Sequence, residues 1–326
     1  GAVPPSERVV VGCIGMGGMG MSNLDGFLTQ SSAQVVAVCD VDEHHMNDAI
    51  NRVNGKYGNK DCVGYKDFRE LLAREDIDAV SIALPDHWHA IPAIMAARAG
   101  KDIYGEKPLA GSIREGRAIV DAVEQYGRIW QTGSWQRSQE HFRQACELVR
   151  NGYIGEVKLV KVGLPAKNSI RKGNTRPEDP PPWFDYEMWL GPAPWAPYCE
   201  ARCHWNFRWI SDYAGGQLTD WAGHHCDIAQ WGMGTELSAP VEIIPRGGNW
   251  PKAEEGLFDT VEDYEFLCVF REGFEMLVSA RIPGGVRFEG SEGWIYVDRG
   301  KFEAHPRSLV NTEIKPHEIH LYKSTN

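Results

Sequence analysis

Residues 215–227 carry the residue types of an acid–base site. Asp220 and His224 stand four positions apart and therefore share one face of a helix, and Asp227 follows on that face. A histidine can take a hydroxyl proton near neutral pH, and a neighbouring carboxylate orients its ring and stabilises the imidazolium. Two other interpretations stay open: Asp220 caps the helix, or the three side chains bind a metal. Proton transfer is favoured because no further ligand set is visible.

Lys107, in the tripeptide Glu106-Lys107-Pro108, is the second reactive group. It follows a short strand-like run, and an ammonium group there lowers the energy of negative charge on a substrate alkoxide. Pro108 fixes the turn, and Glu106 can pair with the lysine. Because Glu-Lys-Pro alone is a common surface tripeptide, its meaning depends on the elements around it.

Residues 15–20 form a G-x-G-x-x-G sequence between a predicted strand and a predicted helix. The first glycine permits a tight turn, the second lets a pyrophosphate approach the backbone, and the third lets the helix pack on the strand. Asp40 ends the next predicted strand, where its carboxylate can accept both ribose hydroxyls and repel a 2′-phosphate. NAD is therefore favoured over NADP, bound by Gly15, Met16, Gly17, Gly18, Met19, Gly20 and Asp40.

The loop after the predicted strand at residues 79–84 adds Pro85, His87 and His89. Right-handed crossovers place all strand C-termini of a parallel sheet on one edge, and ligands bind at that edge. We expect these three residues, with Glu106 and Lys107, to contact the cofactor. The alternative is a polar loop that caps the next helix.

The elements that must position these residues fall into two groups. Strand-like and helix-like segments alternate up to residue 132, which predicts a doubly wound parallel sheet in residues 1–132. Strand-like runs with alternating polarity dominate the rest, and an Arg-Glu-Gly turn at 271–273 joins two of them. Residues 133–326 are therefore predicted to form an α+β domain with a mostly antiparallel open sheet. The fold class is α/β overall.

The composition argues against several classes of partner. The formal net charge is −11, which disfavours nucleic-acid binding. No apolar run reaches the roughly 18 residues of a membrane span. The eight cysteines are scattered and are predicted to be buried, reduced thiols. Cys199, Cys203 and His204 have poor spacing for metal ligands, so no metal site is predicted.

A cluster of arginine and aromatic residues precedes the acid–base segment. Such side chains suit hydroxyl-rich or acidic sugars. The predicted substrate contacts are Arg202, His204, Trp205 and Arg208, together with His225. An equally good interpretation is a structural lid packed on the second domain.

Taken together, these motifs resemble the Gfo/Idh/MocA oxidoreductases over nearly the whole chain. The resemblance rests on the glycine sequence, Asp40, Glu106-Lys107-Pro108 and the Gly-Gly…Asp220…His224…Asp227…Trp231 pattern. It implies a Rossmann domain followed by a mostly antiparallel α/β domain, NAD or NADP as cofactor, and sugars, polyols or their acids as substrates. It also implies that Lys107 lies near the nicotinamide, that His224 is the acid/base and that Asp220 is its partner.

Residues 189–195, 206–209 and 218–221 resemble a subgroup that often carries a twin-arginine export signal. The resemblance makes a periplasmic location at least as plausible as the cytoplasm, and export would favour a tightly held cofactor. We expect an NAD(P)-dependent oxidoreductase acting on a sugar, glycoside or polyol, and a homo-oligomer, dimeric or tetrameric. Two alternatives remain: a glycosidase or lyase that recycles its cofactor through a 3-keto-glycoside, and a sugar- or dinucleotide-binding protein without turnover.

Overall fold

The computed structural model describes residues 4–251 and 256–324, which divide into two compact units. The first unit contains the described residues up to 133 and residues 170–214, and the second contains residues 134–169 and those from 215 onward. The boundary at 133 lies one residue from the predicted one. The division differs from the predicted second domain in one respect, because residues 170–214 belong to the first unit. We call this segment the strap.

A parallel sheet with intervening helices forms the first unit. Its elements are β1 (Val9–Ile14), α1 (Gly18–Thr29), β2 (Ala33–Cys39), α2 (Glu43–Tyr57), β3 (Val63–Tyr65), α3 (Phe68–Leu72), β4 (Ala79–Ile82), α4 (Ala90–Arg98), β5 (Asp102–Gly105), α5 (Ile113–Gln125) and β6 (Trp130–Thr132). The strand order is β3-β2-β1-β4-β5-β6, and every pair is parallel. This order confirms the predicted doubly wound sheet. The order reverses between β1 and β4, where ligands bind in such sheets.

Short polar side chains start two of these helices as their residue types predict. Asp42 accepts hydrogen bonds from the backbone N–H groups of His44 and His45 at the start of α2. Ser112, the N-cap of α5, accepts a hydrogen bond from the N–H of Glu115 at 3.2 Å. Each bond satisfies an N–H group that has no partner inside the helix, typically worth about 1 kcal/mol.

A seven-stranded sheet with two helices forms the second unit. In chain order, α6 (Glu140–Arg150) and β7 (Val157–Gly163) precede the strap, which holds α7 (Tyr186–Leu190). Then follow α8 (Gly216–Met233), β8 (Glu242–Asn249), β9 (Glu262–Val269), β10 (Glu275–Ser279), β11 (Gly285–Gly290), β12 (Trp294–Asp298) and β13 (Lys301–His305). The strand order is β13-β12-β11-β7-β10-β9-β8. Only the β7–β10 pair among these is parallel, which confirms a mostly antiparallel sheet.

Helices α6 and α8 cover one face of this sheet with a continuous apolar core. The other face is charged near its centre, where Glu289 accepts hydrogen bonds from Lys161 at 2.8 Å and Arg287 at 2.9 Å. This part of the sheet face therefore carries paired charges. Exposed apolar side chains lie instead near the edge strand β8, at Val241, Ile243 and Ile244.

All eight cysteines are free thiols, and seven are buried, as predicted. Burial raises the pKa of Cys62 to about 11, and the buried Cys13 reaches about 12. These thiols therefore stay protonated near neutral pH. Within the described ranges, no helix is both long enough and apolar enough to cross a bilayer.

Candidate functional site

The turn between β1 and α1 has the shape that a pyrophosphate requires. Gly15 adopts a positive φ of 84°, and a Cβ on Gly20 would lie 1.8 Å from the carbonyl oxygen of Gly15. Glycine is therefore required at both positions. A Cβ on Gly17 or Gly18, by contrast, would meet no atom within 4 Å. The turn thus leaves open space above the first N–H groups of α1, where phosphate oxygens bind, so these residues fit a dinucleotide.

Asp40 ties this turn to the loop that follows β2. Its Oδ2 accepts a hydrogen bond from the N–H of Met16 at 2.6 Å, and its Oδ1 accepts one from the N–H of Asp42 at 2.8 Å. Each oxygen of an ionised carboxylate has a second lone pair. The predicted bonds to ribose hydroxyls are therefore compatible with this geometry and stay a prediction.

Glu106 is buried at the carboxyl end of β5. Its Oε1 accepts a hydrogen bond from the side chain of Asn23 at 3.0 Å, while its buried Oε2 has no hydrogen-bond partner within the described part of the chain. Burial raises the pKa of this carboxyl group. An orphaned carboxylate oxygen at the ligand edge can accept a hydrogen bond from a dinucleotide hydroxyl or amide. This second observation also fits the predicted cofactor.

The histidines after β4 hold neighbouring segments of the first unit in place. His87 Nε2 donates to the carbonyl oxygen of Trp189 in the strap at 3.0 Å. His89 hydrogen-bonds through Nδ1 to the carbonyl oxygen of Pro108 and so anchors the Glu106-Lys107-Pro108 turn. Burial lowers the pKa of both histidines to about 4. These contacts give both rings a supporting role, and their predicted contact with the cofactor stays a prediction.

Acidification should destabilise the protein through these buried rings. Because the pKa is about 4 in the folded state and about 6.5 in an unfolded chain, the unfolded state binds more protons between those values. Their stabilising effect is therefore complete above pH 6.5 and is lost as the pH falls toward 4. We expect the urea midpoint to fall over this window, measured between pH 8 and pH 4. His89→Gln should flatten the dependence, and an unchanged slope would contradict this assignment.

Helix α8 carries the predicted acid–base residues of the second unit. Asp220 is partly exposed, His224 is buried, and Asp227 lies one turn further along. Both oxygens of Asp227 accept hydrogen bonds from Arg137, at 2.6 and 2.7 Å. This bidentate pair gives Asp227 a structural partner and does not favour the alternative in which it joins Asp220 and His224 around a metal.

An aromatic cluster surrounds the His224 ring. The indoles of Trp135 and Trp221 approach it edge-on, with ring centroids 5.8 and 6.1 Å away. The Arg299 guanidinium lies over both indoles, at 4.5 and 4.2 Å, and donates to the side chain of Gln136 at 3.1 Å. Sequence reasoning missed Trp135, Gln136 and Arg299, because they lie far from α8 in sequence and belong to no motif.

His225 does not have the surroundings predicted for a substrate contact. It is buried, its Nε2 lies 3.6 Å from Asp298 Oδ1, and its Nδ1 lies 3.3 Å from the Gln136 amide nitrogen. Burial lowers the pKa of His225 to about 4. Adjacent helix positions point about 100° apart, so the His225 ring lies beside Gln136 while the His224 ring lies against Trp135. Substrate contact by His225 stays a prediction.

The strap holds the other predicted substrate residues in contacts of its own. Arg202 donates to the Tyr213 hydroxyl and to the carbonyl oxygen of Pro197, both at 3.2 Å. The Arg208 guanidinium stacks on Trp205 at 4.6 Å. Contacts of this kind favour the interpretation of an ordered structural segment, and each of them lies within the first unit. Sugar contacts by Arg202, Trp205 and Arg208 stay a prediction.

His204 lies beside two residues that the sequence did not single out. One ligand atom each of Asp42, His45 and His204 lies within 4.8 Å of the others, the only such group of three in residues 4–251 and 256–324. The grouping differs from both arrangements considered from the sequence, Cys199-Cys203-His204 and Asp220-His224-Asp227. Residues about 160 positions apart in the chain come together here.

Comparison with known proteins identifies the protein family to which the chain belongs. Residues 9–134 match a model described as an oxidoreductase family with an NAD-binding Rossmann fold. Residues 166–249 match the C-terminal alpha/beta domain of the same oxidoreductase family. With the parallel sheet and its glycine turn, these matches place the chain in a family of Rossmann-fold oxidoreductases. The chain belongs to the Gfo/Idh/MocA family, as the sequence motifs predicted.

Individual relatives cover the chain to different extents. The uncharacterized oxidoreductase YrbE of Bacillus subtilis is 26% identical over 78% of this chain and 62% of its own length. An alpha-N-acetylgalactosaminidase of Shewanella oneidensis is 31% identical over 47% of this chain, so the chain spans only about a third (34%) of that protein. The WlbA dehydrogenase of Bordetella pertussis, solved with NADH and UDP-GlcNAcA, shares the fold with a TM-score of 0.63. It is 18% identical, over 89% of this chain and 78% of its own.

Proposed function

We propose that the protein is an NAD(P)-dependent oxidoreductase that acts on a hydroxyl or keto carbon of a sugar, glycoside or polyol. The observation that carries the proposal is the open backbone above Gly17, beside a sheet edge with a buried, half-satisfied Glu106. The WlbA dehydrogenase, solved with a nucleotide sugar, supports the carbohydrate class. A bound nicotinamide dinucleotide supplies the hydride acceptor or donor for this chemistry.

Each proposed catalytic residue has a separate task. His224 takes the proton of the substrate hydroxyl during oxidation and returns it during reduction, and Asp220 orients its ring. The indoles of Trp135 and Trp221 restrict water around this ring and keep it in place. Lys107 places a positive charge near the oxygen that becomes a carbonyl, and the bond from His89 to Pro108 fixes the turn that carries it.

A second candidate is a glycosidase that regenerates its cofactor, favoured by the similarity to the Shewanella alpha-N-acetylgalactosaminidase. In that cycle, carbon 3 of the sugar is first oxidised. The proton on carbon 2 becomes acidic, and its removal expels the aglycone from carbon 1. Water adds at carbon 1, and carbon 3 is reduced again, so the net reaction is hydrolysis. His224 could serve the oxidation and reduction steps in either function.

The cofactor content of the purified protein and a substrate screen separate these functions. Mass spectrometry and a near-ultraviolet spectrum after dialysis identify retained NAD(H) or NADP(H). The protein is then incubated with free sugars, polyols and 4-nitrophenyl glycosides. Formation of NADH from added NAD⁺ indicates a dehydrogenase, whereas release of 4-nitrophenol without net NADH indicates the cofactor-recycling glycosidase. Failure to bind either dinucleotide, as purified or in titration, would refute both.

A further inference from the structure

The strap contacts the loop between β2 and α2 through paired backbone groups. The N–H of Glu43 donates to the carbonyl oxygen of Trp183 at 3.0 Å, and the N–H of Asp185 donates to that of Val41 at 2.9 Å. The His44 ring stacks on the Trp183 indole, with centroids 5.0 Å apart. These contacts bring the strap against the first residues of α2. All of them lie within the first unit.

We propose that Asp42, His45 and His204 form a binding site for a divalent transition metal, Zn²⁺ above all, which fastens the strap to α2. Asp42 Oδ2 and His204 Nε2 are 3.8 Å apart. In a tetrahedral zinc site, an oxygen and a nitrogen ligand lie about 3.3 Å from each other. All three ligand atoms lie within 4.8 Å of one another, so side-chain movements of up to about 1.5 Å would form a coordination sphere. Two imidazoles and one carboxylate are ligands that zinc prefers, and water can take the fourth position.

One oxygen of Asp42 lies near His204, and a second carboxylate lies next to His45. Asp42 Oδ1 accepts the helix-capping bonds from His44 and His45, which fixes the carboxylate and directs Oδ2 toward His204. His45 Nδ1 lies 3.7 Å from Asp40 Oδ2. A carboxylate behind a ligating histidine is the usual arrangement at zinc sites, because it orients the ring and leaves the other nitrogen for the metal.

The position of His204 supports a role beyond packing. Its backbone has a φ of 55°, in the left-handed region that non-glycine residues seldom occupy. That conformation directs the ring toward Asp42 and His45, with the His45 and His204 centroids 5.4 Å apart. The side chains of His45 and His204 are 37% and 43% exposed, so an ion from solvent can reach them. Backbone strain kept at a position that gathers ligands is typical of functional sites.

Zinc titration of the full chain, with any affinity tag removed and after EDTA treatment, tests the proposal. Isothermal titration calorimetry with ZnCl₂ should give one strong site per chain. His45→Gln and His204→Gln should each raise the dissociation constant for zinc by at least about tenfold. Loss of a residue that only hydrogen-bonds to a metal ligand typically weakens metal affinity by about tenfold or more, and loss of a ligand itself should cost no less. Asp42 is left intact because it caps α2. His317→Gln, at an exposed histidine outside the cluster, should bind zinc like the wild type.

A second readout follows the strap itself. Zinc should slow tryptic cleavage of the strap after Lys172 in wild type and in His317→Gln, but not in His204→Gln. Circular dichroism establishes that each variant is folded before titration. The proposal is overturned if the wild type binds no zinc, or if binding is unchanged in both cluster variants, which would assign the ion to another place. It is also overturned if zinc is bound but cleavage of the strap is unaffected. No step depends on the proposed redox function.

Discussion

His224→Gln should lower turnover by about a hundredfold to ten-thousandfold, the range typical for loss of a general base. The measurement uses whichever substrate the sugar and glycoside screen identifies. Glutamine nearly fills the space of the imidazole beside Trp135 and Trp221 but cannot take the hydroxyl proton. Dinucleotide affinity should stay at the wild-type level, because the glycine turn belongs to the first unit. The fall should therefore appear in kcat.

The matched control is His141→Gln. His141 is another partly buried histidine of the second unit, and its Nε2 bonds to the backbone carbonyl oxygen of Asp298. It should retain turnover within a few-fold of wild type. Equal losses in the two variants would point to a general structural effect. Wild-type rates in a folded His224→Gln protein would rule out the proposed base.

The sequence predicted correctly those features whose conformation depends only on neighbouring residues in the chain. The turn at residues 15–20 was placed correctly because its glycines have local causes, a positive φ at Gly15 and a close approach at Gly20. The N-cap at Ser112 and the α8 segment that carries Asp220 and His224 follow from local chemistry in the same way. The strands β3, β6, β11 and β13 were missed, because each contains only one or two apolar side chains and therefore shows little periodicity.

Contacts made over long stretches of chain were not predictable. The strap was assigned to the second domain because it follows β7 in sequence, yet its backbone pairs with residues 41–43. Because the strap pairs with this loop, His204 lies close to Asp42 and His45. Arg299 likewise reaches the His224 surroundings from the turn after β12. His225 was predicted to contact the substrate because it follows His224 in the chain. Whether its ring faces the core or the substrate depends on the direction of the side chain, which adjacency in sequence does not give.

Gly17→Ala should leave the fold intact while weakening dinucleotide binding by at least about a hundredfold, or roughly 2.7 kcal/mol. The backbone at Gly17 has φ −67° and ψ −168°, which alanine adopts without strain, and the added methyl meets no protein atom within 4 Å. That same space is where the pyrophosphate must approach the chain. Binding is measured by fluorescence titration of cofactor-stripped protein with NADH and NADPH, and folding by thermal denaturation.

Gly26→Ala is the matched control, because Gly26 lies in α1, the helix that Gly17 precedes, and also has open space around it. It should raise stability by roughly 0.5–1 kcal/mol through helix propensity and leave dinucleotide affinity unchanged. Gly20→Ala should behave differently from both, since its Cβ would overlap the carbonyl oxygen of Gly15 and disturb the turn itself. A Gly17→Ala protein that binds NADH as tightly as Gly26→Ala would show that the cofactor does not sit on this turn.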